Sequence, residues 1–250
     1  MLLHNYHTHT KRCHHAVGED REYIESAIQA GLKTLGFSDH APYPFTGNDM
    51  PFRVCLEDMQ EYAESVRALA KEYANDIRIL LGFEVEYYPK FHKEEMALLK
   101  TVSPDYLILS QHFLFNETPQ MPCNYLEKDE HLQAYVSQAL EGLKTGDFLY
   151  LAHPDFPGIP FSNEAIEREY RRLCEGVKAL DYPLEFNLLG LRQGRPYPSE
   201  TFFKIVAETG NKVVLGMDAH DPYDVAHAGT EKAEEIIKKL GLNLVTTPLL

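Results

Sequence analysis

The sequence predicts an α/β barrel of parallel strand–helix units, with its chemistry at the carboxyl ends of the strands. Three observations predict it. Short apolar, β-rich runs alternate with longer amphipathic stretches of helical period, the pattern of successive βαβ units. The chain has 250 residues, 44% of them hydrophobic, enough for one full-sized core. Nearly every predicted strand ends in a histidine or a carboxylate, and active sites of parallel barrels sit at that face. A doubly wound open sheet is the rival closure. With no internal repeat and no linker composition, residues 1–250 read as a single domain.

The elements follow in order. Strands are predicted at 2–6, 34–38, 77–84, 106–110, 148–152, 184–187, 213–216 and 242–246, where apolar and β-branched residues cluster between turn formers. Helix 23–30 places Ile24, Ala27 and Ile28 on one face. Helix 56–74 does the same with Met59, Tyr62, Ala63, Val66 and Leu69. Helices 94–101, 131–142, 163–180, 199–209 and 231–240 follow. Gly31, Gly142, Gly210 and Gly241 are read as helix stops. The proline-rich segments 41–51, 119–124 and 154–162 are expected to be long loops, each following a strand end that carries a histidine.

Lys plus Arg number 24 and Asp plus Glu 38, a formal charge of −14. An acidic chain is a poor binder of phosphate backbones, so no nucleic-acid partner is expected. Cys13, Cys55, Cys123 and Cys174 are widely spaced and form no CxxC pair, which reads as reduced thiols. No signal peptide and no membrane-length apolar run is read. The expectation is a soluble cytoplasmic protein acting on a small molecule, away from membranes, with its oligomeric state open.

The chemistry lies in the strand ends. The first strand runs into His7-Thr8-His9, and the second into Asp39-His40. Glu84 ends the third, His112 the fourth and His153 the fifth; Asp218-Ala219-His220 follows the strand at 213–216. Residues two apart on an extended chain face the same side, so His7 with His9, and Asp218 with His220, can each share one cation. Imidazole suits zinc, iron, manganese or nickel, and carboxylates bridge pairs of ions. A lone HxH is a weak signal; the ordered set of strand ends is what makes a metal-dependent hydrolase the reading. His14 and His15 are adjacent, and composition does not choose between them. His4, His92, His131 and His227 read as surface or packing histidines.

These motifs together resemble the polymerase-and-histidinol-phosphatase (PHP) superfamily. The matching residues are His7-Thr8-His9-Thr10, Cys13-His14-His15, Phe37-Ser38-Asp39-His40, Gly82-Phe83-Glu84, Ser110-Gln111-His112, Ala152-His153-Pro154 and Asp218-Ala219-His220. The resemblance spans nearly the whole chain and is strongest to monofunctional histidinol-phosphate phosphatases. It implies a distorted (β/α)7-type barrel and three divalent ions, of which Zn, Fe or Mn are expected. It implies His7, His9, Glu84 and Asp218 around one ion, with Glu84 bridging to a second held by His112 and His153. A third would be held by His15, His40 and His220; family spacing selects His15 over His14. Asp39 is a catalytic or ligand-orienting candidate.

The segment 185–198 follows a strand end and carries Arg192 and Arg195, whose guanidinium forks suit a phosphate dianion. Both are substrate-binding candidates, and resemblance to the family's Asn…Gly-Leu-Arg stretch favours Arg192, also as a catalytic residue. The expected reaction is hydrolysis of L-histidinol phosphate in histidine biosynthesis, by attack of a metal-held hydroxide at a trinuclear site. The alternatives are another phosphoesterase of the superfamily, a metal-dependent amidohydrolase, and a non-enzymatic metal-binding module. Use of Glu84 rather than a lysine as the bridge argues against the amidohydrolase.

Overall fold

The computed structural model describes residues 2–46, 51–117 and 121–250. Of the predicted loops, residues 47–50 and 118–120 lie outside the described residues. Strands β1 (His4–Asn5), β2 (Thr34–His40), β3 (Arg78–Val85) and β4 (Tyr106–Leu109) form one parallel sheet in sequence order. A second parallel sheet holds β5 (Leu184–Asn187), β6 (Lys212–Gly216) and β7 (Asn243–Leu244).

Isolated parallel bridges join the two sheets into a ring. Leu151 pairs with Leu109 on one side and Leu184 on the other, while Thr8 pairs with Ala219. Four strands, the Leu151 bridge, β5 and β6 thus make the seven positions of a distorted barrel. β7 pairs with the first half of β6, at Lys212 and Val213, on the edge that β5 leaves open.

The strand expected at 148–152 is reduced to that single bridging residue. The cause is local: Pro183 at the foot of β5 has no N–H, so the ladder on that side cannot continue. Its carbonyl instead accepts from Leu151 N at 3.3 Å. The strand expected at 242–246 likewise shrinks to two residues.

Tyr6, Leu80, Tyr106, Ile108, Tyr150 and Val214 fill the barrel. Tyr106 is admitted because Gly36 and Gly82 flank it; a Cβ there would lie 2.2 Å and 2.5 Å from its phenol. Its hydroxyl donates to Tyr6 O at 2.9 Å and Phe37 O at 3.1 Å, tying β1 to β2 just below the site.

The surrounding helices are α1 (Asp20–Gln29), α2 (Met59–Glu72), α3 (His92–Leu99), α4 (Asp129–Lys144) and α5 (Asn163–Ala179). They continue with α6 (Leu188–Gln193), α7 (Glu200–Thr209), α8 (Pro222–Ala226) and α9 (Thr230–Leu240). Their apolar faces and the outward faces of the strands make the main core. Ser162 and Ser199 cap α5 and α7 by accepting from Ala165 N and Phe202 N. Gly210 and Gly241 end α7 and α9 in the left-handed region, as expected. Gly142 is a correction: it lies inside α4, where a Cβ would come within 2.8 Å of Tyr87 Cβ, so it serves close packing. The short helices α6 and α8 occupy stretches read as loop.

Candidate metal centre

The carboxyl ends of the ring bring all nine predicted ligand residues into one cluster, in overlapping groups. Residues 7–9 stay extended because Thr8 bridges to Ala219, so His7 and His9 project together into the ring. His7 and His9 form a group with Glu84, and His7 another with His153 and Asp218. His40, Glu84 and His112 form a further group, and His15, His40 and His220 the outermost. His153 and Asp218 adopt left-handed backbone, with φ of 26° and 47°. That conformation costs such residues energy and marks positions where side-chain direction is imposed by the surroundings.

Distances place Glu84 at the centre. Its Oε1 lies 2.9 Å from His153 Nε2 and 3.7 Å from His112 Nε2. Its Oε2 lies 2.8 Å from His40 Nδ1 and 3.5 Å from His9 Nε2. Asp218 Oδ1 lies 3.2 Å from His9 Nε2 and 3.6 Å from His7 Nε2. On the outer side, His15 Nε2 and His220 Nε2 are 2.9 Å apart. His14 turns away, with its Nε2 3.4 Å from Cys55 Sγ. His4 and His92 pair with Thr34 and Asp147, away from the cluster.

The inner part of the cluster is sealed: His7 and His9 are fully buried, and Glu84 and Asp218 nearly so. Burial works against the charged His7 ring. The carboxylates of Glu185, Asp218 and Glu84 outweigh it, holding the His7 pKa well above its ordinary value. Burial likewise opposes ionisation of Glu84, yet His40, His7 and His112 draw its pKa well below the carboxylate range. This is a site that demands buried positive charge. His7 Nε2 and His9 Nε2 are buried and make no hydrogen bond. Buried polar atoms rarely stay unpaired, and two such nitrogens facing the Glu84 and Asp218 carboxylates fit a divalent cation.

Other carboxylates aim the rings. Asp39 Oδ1 stands 3.4 Å from His9 Nδ1 and accepts from His40 N, while Thr10 donates to Oδ2 through both its N–H and its hydroxyl. Asp39 is fully buried and does not line the cavity, which disfavours a direct part in proton delivery to a leaving group. Its contact with Nδ1 suits it to orient the His9 ring. Glu86 holds His112 Nδ1 at 3.3 Å, and Glu185 holds His7 Nδ1 at 2.7 Å. Sequence reasoning missed both. The available signal was position: Glu86 stands two residues after Glu84, on the same side of the chain, and Glu185 is the one charged residue of the strand at 184–187.

A cavity of about 340 Å³ opens over the cluster. Phe52, Phe113, Phe156 and Tyr197 form its walls, with Arg195 at its edge. Phe52 and Phe113 stack at 5.9 Å, and Phe156 and Tyr197 stand 5.4 Å apart. The two candidate phosphate-binding arginines are placed in the reverse of the expected order. Arg195 lines the cavity, its guanidinium donating to Tyr197 Oη at 2.8 Å. Arg192 does not line it: its guanidinium donates to Met217 O and Ala228 O and pairs with Asp224, bracing α6 against α8.

A barrel of parallel strands with a histidine- and carboxylate-rich centre at its carboxyl ends defines a class of metal-site hydrolases. Residues 5–188 match the model of the PHP domain. A Deinococcus radiodurans protein named "Probable histidinol-phosphatase" is 32% identical, over 92% of this chain and 91% of its own length. The "Histidinol-phosphatase" of Bacillus subtilis is 26% identical, over 89% and 95%. The crystal structure of a histidinol phosphate phosphatase from Lactococcus lactis, complexed with Zn, L-histidinol and phosphate, shares the fold. Its TM-score is 0.74 at 19% identity, covering 97% of this chain and 95% of that one. The chain belongs to the PHP domain family, and as a histidinol-phosphatase-like member it is an enzyme, a phosphoric monoester hydrolase.

Proposed function

We propose that this enzyme hydrolyses L-histidinol phosphate to L-histidinol and phosphate, using three divalent ions. The observation that carries the reading is the pair of buried nitrogens His7 Nε2 and His9 Nε2, without hydrogen bonds and facing Glu84 and Asp218, two carboxylates that line the cavity. His7, His9, Glu84 and Asp218 would hold one ion. His112 and His153 with Glu84 would hold a second, and His15, His40 and His220 a third; Zn, Fe and Mn all suit such mixed nitrogen and oxygen donors. When bound, such ions supply Lewis acidity towards phosphoryl oxygens and make water a stronger acid.

The residues of the chain do the rest. Arg195, held by Tyr197, presents its guanidinium to a phosphate dianion at the cavity edge. The aromatic walls enclose the leaving group and exclude water. Flat rings on both sides suit a planar imidazole, and their faces suit an ammonium group. The relatives named for histidinol phosphate support this substrate. We place the reaction in the cytoplasm and read residues 1–250 as one domain. No disulfide joins Cys13, Cys55, Cys123 and Cys174, which supports a reducing compartment. No helix among the described residues is long and apolar enough to cross a membrane.

The test is phosphate release from L-histidinol phosphate, nucleotides and simple aryl phosphates, alongside His9→Ala and Asp218→Ala. Preference for histidinol phosphate is expected, with activity abolished and metal content reduced in both variants. A wild type that favours nucleotides would replace the substrate reading. Variants with full activity and unchanged metal content would remove the site assignment.

A further inference from the structure

Six of the seven positions around the ring lead into at least one candidate cation donor; β5 does not. Its inward-facing residues, two apart, are Glu185 and Asn187, while Phe186 turns outward against Phe203 of α7. Glu185 is fully buried and both its oxygens are engaged. Oε1 lies 2.7 Å from His7 Nδ1, and Oε2 accepts from His153 N at 2.8 Å and Asn187 Nδ2 at 2.9 Å. Asn187 Nδ2 also donates to Asp218 Oδ2 at 3.0 Å. The pair therefore touches His7, His153 and Asp218, which themselves form one of the donor groups of the cluster.

Space for this arrangement is reserved in the neighbouring strand. At Gly216 of β6 a Cβ would stand 1.7 Å from Glu185 Oε1, so any larger residue would push the carboxylate off His7. A third buried carboxylate beside Glu84 and Asp218 is a poor choice for stability alone, because apolar residues of similar volume commonly serve a core better. It makes sense as an acceptor for His7 Nδ1–H, which leaves the Nε2 lone pair facing Glu84 and Asp218.

We propose that Glu185, braced by Asn187, is a positioning device that holds the side chains of His7 and Asp218, ligands of the first ion, and the backbone of His153, a ligand of the second. The proposal rests on the reading of the cluster as a metal centre. β5 thus supplies the outer support for ligands contributed by its neighbours.

Glu185→Gln tests it, because the two oxygens accept from donors on opposite sides. Whichever way the amide is turned, its NH2 meets a donor, either His7 Nδ1–H or His153 N–H. Zn2+ and Mn2+ affinity would be measured by chelator competition, stoichiometry by elemental analysis, and the melting temperature of the metal-free protein by calorimetry. The expected result is about a 10–100-fold loss of affinity for one ion, the range seen when outer partners of ligands are removed. The metal-free variant is also expected to melt somewhat lower, because its amide sets an N–H against that of His7 or of His153; the affinity loss is the result that a purely structural carboxylate would not give. Wild-type affinity in Glu185→Gln would overturn the proposal, and so would a fall in metal-free melting temperature with affinity intact, which marks a purely structural carboxylate. A wild type that takes up no cation would overturn the metal-centre reading itself, and the brace with it. Should Glu185→Gln fail to fold, Asn187→Ala carries the test: a several-fold affinity loss supports the brace and unchanged affinity overturns it.

Discussion

Arg192 lies in the last turn of α6 and Arg195 just beyond its left-handed Gly194 cap, and the two face different partners. Resemblance in sequence favours Arg192 for the phosphate, because it sits in the Gly-Leu-Arg stretch. The fold turns that guanidinium onto the carbonyls of Met217 and Ala228, where it joins two helices. Which way a side chain leaves a six-residue helix depends on what lies beside it, and the identity of α8 as a neighbour is invisible in the chain. Arg195→Ala is therefore expected to raise KM for the phosphate ester by about 10-fold, the loss of roughly one charge-assisted bond, with metal content and melting temperature unchanged. Arg192→Ala is expected to lower the melting temperature with KM little changed. Steady-state kinetics and calorimetry on both separate the roles, and the opposite pattern would restore Arg192 to the substrate. The ligand residues were far more legible. All but His15 stand at the end of an apolar run, and strand geometry alone dictates that such ends converge in a closed ring; His15 was selected over His14 by resemblance only.

At the scale of elements, the loops after β2, β3 and β4 meet at one buried cation. Arg53 Nη2 lies 2.9 Å from both Glu86 Oε1 and Glu117 Oε1, with Phe52 and Tyr43 against its guanidinium. Beneath it α3 presents Glu95, fully buried, with neither carboxyl oxygen hydrogen-bonded. Burial pushes the Glu95 pKa well above its ordinary 4.5; Arg53 opposes the rise, and Glu86 and Glu117 add to it. Below pH 4.5 folded and unfolded chains both carry this proton, and stability does not change with pH through this group. Above it the unfolded chain ionises while the folded one stays neutral, so the stability gained from the neutral group at low pH is lost as pH rises towards the folded value. Glu95→Gln is expected to match wild type near pH 4.5 and to melt higher by pH 8. Equal melting curves at both pH values would mean that Glu95 is solvated. None of this could be read from the sequence, where Glu95 looks like an ordinary solvent-facing residue in the first turn of a helix. The same holds for 148–152 and Gly142. Their apolar pattern and residue type are those of a strand and a helix stop, and only the neighbours Pro183 and Tyr87 decide otherwise. Long elements with a full apolar face, such as α2 and α5, were legible because local period and burial agree.

For the whole molecule, the question is what the metal centre contributes to a chain of net charge −14. The main core of helices and outward strand faces does not include the cluster, so the fold has hydrophobic support of its own. Without cations the inner rings compensate the carboxylates with protons: burial opposes charge on His7, His9 and His153, yet their carboxylate neighbours raise all three pKa values. Protons and divalent ions thus compete for the same buried imidazole nitrogens, and the cation-free chain is expected to remain folded. Cations that bind only the folded chain stabilise it by about 2.7 kcal/mol per site at a hundred times Kd. In a domain of this size each kcal/mol moves Tm by roughly 2–4 °C. Complete chelation is therefore expected to lower Tm by about 5–10 °C per ion lost while far-ultraviolet circular dichroism at 25 °C stays the same, and readdition of Zn2+ or Mn2+ should restore Tm. A chelated protein that loses its helical signal would show that the cluster is part of the folding core. A Tm unmoved by verified loss of metal would show that the ions bind folded and unfolded chains alike, against the buried, strand-end geometry that makes the site depend on the closed ring.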